Sequence, residues 1–341
     1  MDKSAADAFV YAKASGILAN SFVGKRAQLL FSVNSIGELW SLLFNSEIPS
    51  VPETVLARTL ENQAQESFLK QYKSLLSHYS KPAEVLVDLL DFYEVSNLKE
   101  IGAALCFGEK ELPQLYETKP FNKIKYEKWP NIQAMTQDSP YSWYDSVPLL
   151  TEQQQNDYRL DCQYLSEIWE SAKAIHSSCK QDVVSLFYEH IRIENAIWTL
   201  RLRIYYQMPD EEILFRLESA FLPQEIKESA LKETKFLLNL ELDDYEQWKK
   251  WSFARLLNPH EEGVVWTVDP RWVYNLHRKE YVEKAKRLFH KHPFTECPLL
   301  CFFLIKRNEL DTIRTASESL RLNVDSAQAM EIAGLTEVKN G

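Results

Sequence analysis

The sequence predicts an all-α protein built from three related helical parts. Three observations carry that expectation. Apolar residues recur at helical spacing through most of the chain, the 341 residues include only 8 Gly, and a helix–break–helix pattern occurs three times. Low Gly disfavours a many-turned β fold, and the strict alternation that marks strands is nearly absent.

The repeated pattern is an aromatic–aliphatic pair in one helix, a break, and a small polar residue beside an aliphatic one in the next helix. The copies are Phe68-Leu69 with Asn97-Leu98, Tyr164-Leu165 with Asn195-Ala196, and Tyr281-Val282 with Thr312-Ile313, at spacings of 29, 31 and 31 residues. The breaks are Ser80-Lys81-Pro82, Ser177-Ser178-Cys179 and His292-Pro293. Each second helix ends in another stop and restart, at Gly108 to Pro113, Met208 to Asp210 and Leu322 to Asp325. A repeated helical unit needs neighbours to bury its apolar face, so the pattern points to a modular scaffold.

The elements follow in order. Ala5 to Ala27 places Phe9, Val10, Ala14, Ile17 and Leu18 on one helical face. Asn34-Ser35 opens a second helix carrying Ile36, Leu39, Trp40, Leu42 and Leu43, closed by Pro49 and Pro52. Pro52-Glu53-Thr54 starts a long helix to about His78, and another runs from Lys81 to about Cys106. Tyr116 to Leu149 contains Pro120, Pro130, Pro140 and Pro148 with Trp129 and Trp143, and reads as an ordered crossover packed by its aromatics. Helical pattern resumes at Thr151-Glu152 and runs through Tyr206, with further starts at Asp210-Glu211-Glu212 and Pro223-Gln224-Glu225. A break at Asn258 to Asp269 holds a short β-like run, Val264 to Thr267, and the last part follows it, with Asn340-Gly341 expected to fray. The expected division is residues 1–115, a crossover at 116–149, then 150–258 and 259–341, with about fifteen helices in all.

Composition narrows the function classes. With 39 basic and 49 acidic residues the net charge is −10, which argues against nucleic acid as a partner. The five cysteines, Cys106, Cys162, Cys179, Cys297 and Cys301, are few and scattered, as for free thiols in a reducing compartment. The start, Met1-Asp2-Lys3-Ser4, has no signal-peptide pattern, and the longest apolar run, Cys297 to Ile305, falls short of the roughly 20 residues that span a bilayer.

Chemistry-bearing constellations are sparse. His290, His292, Cys297 and Cys301 offer four zinc-type ligands within twelve residues, but at poor spacing. The competing reading is a helix-end His pair and two core thiols. Glu189-His190 does not supply the Glu-x-x-His of a di-iron bundle, and His260-Glu261-Glu262 lacks a second His for a zinc protease. Gly24-Lys25-Arg26 lacks phosphate-loop spacing and reads as a solvated helix end. Lys279, Lys284, Lys286, Arg287, His290 and Lys291 form a basic stretch, either a solvated face or a site for an acidic partner or nucleic acid. Arg192, Arg201 and Arg203 are read as ion-pairing within the bundle or as a docking surface.

Several segments resemble one family. Pro293-Phe294-Thr295-Glu296-Cys297-Pro298-Leu299-Leu300 runs into Lys306-Arg307-Asn308-Glu309-Leu310-Asp311-Thr312-Ile313-Arg314; Phe92 to Lys99 carries a related motif; and Leu160-Asp161-Cys162-Gln163-Tyr164 matches a Leu-Asp-x-x-Tyr start of a middle domain. In order and spacing these resemble the C subunits of bacterial and archaeal V/A-type (V-type) rotary ATPases, a family similar to the d subunit of the eukaryotic V-ATPase. The chain departs from that pattern at Lys13 to Asn20, where the family carries several Arg and a Glu, at Thr312 where the first copy has Asn97, and at Arg192 where the first copy has Glu94.

The resemblance implies three similar helical domains around a pseudo-threefold axis, forming a funnel. One end would sit on the membrane proteolipid ring and a socket would receive the central shaft, formed by the D and F subunits. The protein would lie peripherally on the cytoplasmic side of the membrane and do no bond chemistry, with no cofactor, nucleic acid or small-molecule substrate. An adaptor of another complex and a helical zinc protein are the alternatives. Under threefold equivalence the restarts share one level, so Glu109, Glu111, Asp210, Glu211, Glu212, Asn323 and Asp325 are the expected partner-facing residues.

Overall fold

The computed structural model describes residues 2–218, 222–261 and 263–335. Among them fourteen α-helices follow one another. They are α1 (Lys3–Asn20), α2 (Ile36–Leu43), α3 (Glu53–Leu76), α4 (Glu84–Asp88), α5 (Asp91–Cys106), α6 (Ile132–Thr136) and α7 (Gln153–Lys173). After these come α8 (Lys180–Ile204), α9 (Asp210–Glu218), α10 (Gln224–Leu238), α11 (Tyr245–Trp248), α12 (Pro270–Lys291), α13 (Cys297–Arg321) and α14 (Ser326–Ile332). No strand occurs among the described residues, so the all-α expectation holds. The β-like run Val264 to Thr267 is irregular chain. Val265 is 88% exposed and pairs with no neighbouring strand. The single helix expected over 81–106 is broken at Leu89-Leu90. Asn340 and Gly341 lie outside the described residues, as does Glu262.

Local chemistry sets several helix starts. Asp2 caps α1 by accepting from the Ala5 N–H at 2.8 Å. Ser35 and Glu38 form a reciprocal cap on α2: Ser35 Oγ accepts from Glu38 N at 3.1 Å, and Glu38 Oε2 from Asn34 N at 2.8 Å. Pro52 and Pro223 stand immediately before α3 and α10, as their fixed φ favours.

The residues gather into two compact units, Met1–Pro82 with Asn275–Gly341, and Ala83–Tyr274. These differ from the consecutive segments expected above, because helices from the two ends of the chain pack together. In the first unit α13 is central, with α3, α1, α2 and α14 against it. Its first half, Cys297 to Ile305, is buried all round, and the rings of Phe302 and Phe303 meet Phe68 and Tyr72 of α3. Small residues, Ala6 and Ala14, let α1 approach, and Tyr79 donates to the buried Asp7 at 2.9 Å. Glu309 of α13 is 3% exposed; it accepts from the Phe22 N–H at 2.5 Å and pairs with Lys306.

In the second unit α7 packs against α4, α5 and α8, and α8 against α10. The crossover is held on α5 by its own core: Ile124, Ile132, Met135, Tyr141 and Tyr144 close over Val95, Leu98 and Ile101. Asn97 replaces a backbone partner. Its Oδ1 accepts from Tyr116 N at 2.8 Å, and its Nδ2 donates to Tyr116 O at 3.0 Å and to Tyr126 Oη at 2.9 Å. One turn earlier the buried Glu94 accepts from Thr118 Oγ1 and from Ile124 N. Lys123 then bridges Asp88 and Asp91 at 2.6 and 2.7 Å.

On α8 the equivalent position is Arg192, which binds Glu233 of α10 at 3.0 Å, and Glu233 in turn accepts from Trp251 Nε1 and Ser252 Oγ, both at 3.0 Å. Arg203 donates to the carbonyls of Leu237 and Leu240, capping the end of α10. Arg201 lies over the Tyr274 ring. The ion-pairing reading therefore holds for Arg192, while Arg203 and Arg201 are engaged by backbone carbonyls and an aromatic ring.

This packing generates two tests. A Cβ at Gly102 meets Tyr144 Oη at 2.0 Å, and that hydroxyl is buried without a partner. Gly102→Ala therefore lowers stability by about 1–3 kcal/mol in chemical denaturation, and adding Tyr144→Phe restores part of the loss. Burial drives the Asp91 carboxyl up to about 7 against the opposing pull of Lys123. Between its ordinary value of 3.8 and 7 the folded chain keeps a proton that the unfolded chain has lost, so this group weakens the fold as pH rises through that window. Asp91→Asn removes the effect, and its urea midpoint relative to the parent is higher at pH 7.5 than at pH 4.5.

Candidate partner interface

The three second helices end alike. After α5 the chain turns at Gly108 (φ 73), after α8 at Gln207 (φ 48), and after α13 at Asn323 (φ 54). In each case the next N–H reaches back into the last turn: Glu109 to Ala104 O at 2.9 Å, Met208 to Leu202 O at 3.0 Å, and Val324 to Ser319 O at 2.8 Å. These are left-handed helix stops that satisfy terminal carbonyls. Each stop also presents a large apolar side chain to solvent immediately before the left-handed residue. Phe107 is 71% exposed, Tyr206 62% and Leu322 60%.

Within the second unit two of these stops share one end. Helices α5 and α7 run antiparallel, since Phe92 meets Tyr164 (6.0 Å) while Lys99 meets Asp161 (2.6 Å). Helices α7 and α8 are antiparallel as well, since Trp169 meets Tyr188 (5.8 Å) while Tyr158 meets Trp198 (6.5 Å). Continuing both registers brings Phe107, the exposed Leu149-Leu150 and Tyr206 to one end of the three-helix layer. Pro148 approaches Gly102 on the last turns of α5, which fixes the segment leading to Leu149 there. The loop after α11 is tied to the same end by Tyr205, whose hydroxyl lies 3.5 Å from Asp269 Oδ1.

The acidic residues expected from the sequence border these stops. Glu109 and Glu111 follow Phe107 and are exposed; Asp210, Glu211 and Glu212 form the exposed first turn of α9, four to six residues past Tyr206. Their charges also favour the α9 N-terminus, and Glu212 pairs with Arg216 at 3.0 Å. Asn323 is the left-handed stop of α13, and Asp325 caps α14 by accepting from Ala327 and Gln328. These last two lie in the first unit. The exposed apolar residues Phe107, Leu149, Leu150, Tyr206 and Leu322 were not among the expected residues. The signal for three of them was an apolar residue one place before a Gly, Gln or Asn at a helix exit.

The four zinc-type residues do not converge. Cys297 and Cys301 are buried, with sulfurs 3.7 Å apart in the α13 core, while His290 is exposed and meets Tyr11 Oη at 3.1 Å. No three of the four bring ligand atoms together. Helix-end histidines and core thiols describe them.

The left-handed stops give a direct test. Gln207→Gly relieves a side chain held at positive φ and raises the thermal midpoint, by up to about 1 kcal/mol of stability, whereas Gly108→Ala lowers it by about 1 kcal/mol.

Comparison with known proteins supplies the remaining finding. A sequence profile of the family described as ATP synthase (C/AC39) subunit matches residues 25–332. A protein of Treponema pallidum (strain Nichols), described as uncharacterized, is 28% identical over 328 residues, covering 94% of each chain.

Proposed function

Because the chain belongs to the ATP synthase (C/AC39) subunit family, we propose that it is the non-catalytic rotor piece of a V/A-type ATPase that couples the shaft of D and F subunits to the membrane proteolipid ring. In this role it lies peripherally on the cytoplasmic side of the membrane, turns with the shaft and carries torque during ion transport coupled to ATP synthesis or hydrolysis. No helix among the described residues is long and apolar enough to cross a membrane, in keeping with a peripheral place.

The observation that carries this reading is the recurrence of one surface device at three equivalent helix exits, an exposed apolar side chain followed by polar or acidic residues. Such residues serve as anchors when a partner covers them, and the acidic border steers a basic partner into register. Densely packed helices with few Gly suit a part that must transmit load without yielding. We further propose that the three repeats are arranged about a pseudo-threefold axis, with the exits lining the socket or its rim.

Pull-down with the purified D–F heterodimer tests the assignment. The folded chain is expected to bind it. Glu211→Lys with Glu212→Lys weakens binding by about tenfold or more while leaving the circular dichroism spectrum unchanged. A folded parent chain that binds neither the heterodimer nor a detergent-solubilised proteolipid ring refutes the role. Unchanged binding by the charge-reversed chain moves the socket elsewhere.

A further inference from the structure

The basic stretch of α12 is the strongest feature that the coupling role leaves unused. Its residues 279, 283, 286 and 290 follow a helical stripe, flanked by 287 and 291. Lys279, Arg287, His290 and Lys291 are exposed, and Glu283 is the acid on the stripe, paired with Lys286 at 2.6 Å. Glu280 is only partly exposed. The fold extends this cationic surface. A Cβ at Gly24 would lie 3.6 Å from Lys286 Nζ, which sets the exposed Lys25 and Arg26 beside the α12 stripe. At the far end Tyr11 joins His290 to Phe294, with ring centroids 6.5 Å apart for the second contact. Phe294 is 69% exposed, in the short turn between α12 and α13.

We infer that this basic end of the first unit binds the anionic headgroup surface of a membrane. Three features select that partner. The cations are spread along two exposed segments, which suits a diffuse anionic plane more than one phosphate or carboxylate. Most are Lys, whose compact charges on flexible stems follow a fluid surface, where a folded acidic protein would favour Arg forks. Phe294 stands among them as an exposed ring able to enter the interfacial layer. The patch is also set against a chain of net charge −10, which an anionic surface repels overall. Cys297 Sγ faces Leu288 O, so α13 starts beside the end of α12 and runs back from it. The basic end therefore lies opposite the Leu322–Asn323 exit of the third repeat. It acts in this way whether or not the chain turns in a rotor.

The test is co-sedimentation of the full chain with phosphatidylcholine vesicles containing or lacking about one-third phosphatidylglycerol. Expected is binding to the anionic vesicles alone, weakened at least about tenfold between low and physiological salt. Arg26→Glu with Arg287→Glu reduces partitioning by about tenfold or more, and Phe294→Ser by less. D–F binding stays unchanged in both variants. No binding of the parent chain to anionic vesicles at low salt overturns the inference, as does equal binding to neutral vesicles. Binding to polyglutamate or duplex DNA without binding to vesicles also overturns it. The salt dependence of the parent chain keeps the test decisive if a variant misfolds.

Discussion

A buried carboxylate that fastens irregular chain to a helix is the interaction on which the rest of this structure depends. One such clamp lies at the equivalent place in each repeat. Glu94 on α5 receives Thr118 and Ile124 of the crossover; Glu309 on α13 receives Phe22 of the turn after α1; Glu233, held by Arg192 of α8, receives Trp251 and Ser252. A carboxylate is costly to bury unless its oxygens are met by donors, so each one forces a specific chain path around it. The middle repeat reaches the same result with its charge exchanged. Arg192 stands where Glu94 and Glu309 stand, and the carboxylate comes from the next helix. Removing one partner leaves the other buried and unpaired, so these clamps define the fold more than they add to its stability.

The clamps explain how surfaces so irregular stay in place. The connecting segments contain the chain's main non-helical stretches, yet they bury Ile124, Tyr141, Trp248 and Trp266 and direct indole N–H groups to backbone carbonyls. Apolar side chains fill the layer between helices, while Asn97 and the carboxylates fix the direction in which each connection leaves. The helix exits are then free to point outward. Phe107, Tyr206 and Leu322 are exposed because a left-handed residue follows each of them and turns the chain away before the side chain can be covered.

Much of this was legible in the sequence. Periodicity gave the helices, Ser35, Pro52 and Pro223 marked starts, and the spacing of Asn97, Asn195 and Thr312 marked equivalent positions on the second helices. Two things were not legible. Partner choice among amphipathic helices is a tertiary matter, so nothing local to α1 or α3 said that both would pack on α13, more than two hundred residues away. Exposure is equally hidden: Phe107, Leu149, Leu150 and Tyr206 look like core residues by type, whereas their acidic neighbours look like surface. Asn97, Asn195 and Thr312 also diverge in use. Only Asn97 holds a crossover; Asn195 and Thr312 bond within their own helices.

We propose that the shared end of α5, α7 and α8 is the surface that meets the shaft. Hydrogen–deuterium exchange of the full chain, alone and saturated with the D–F heterodimer, tests it most directly. Added protection is expected at 105–112, 148–153 and 204–213, with the clamped segment 116–126 slow to exchange in both states. Protection that falls elsewhere while those three segments are unchanged would contradict it.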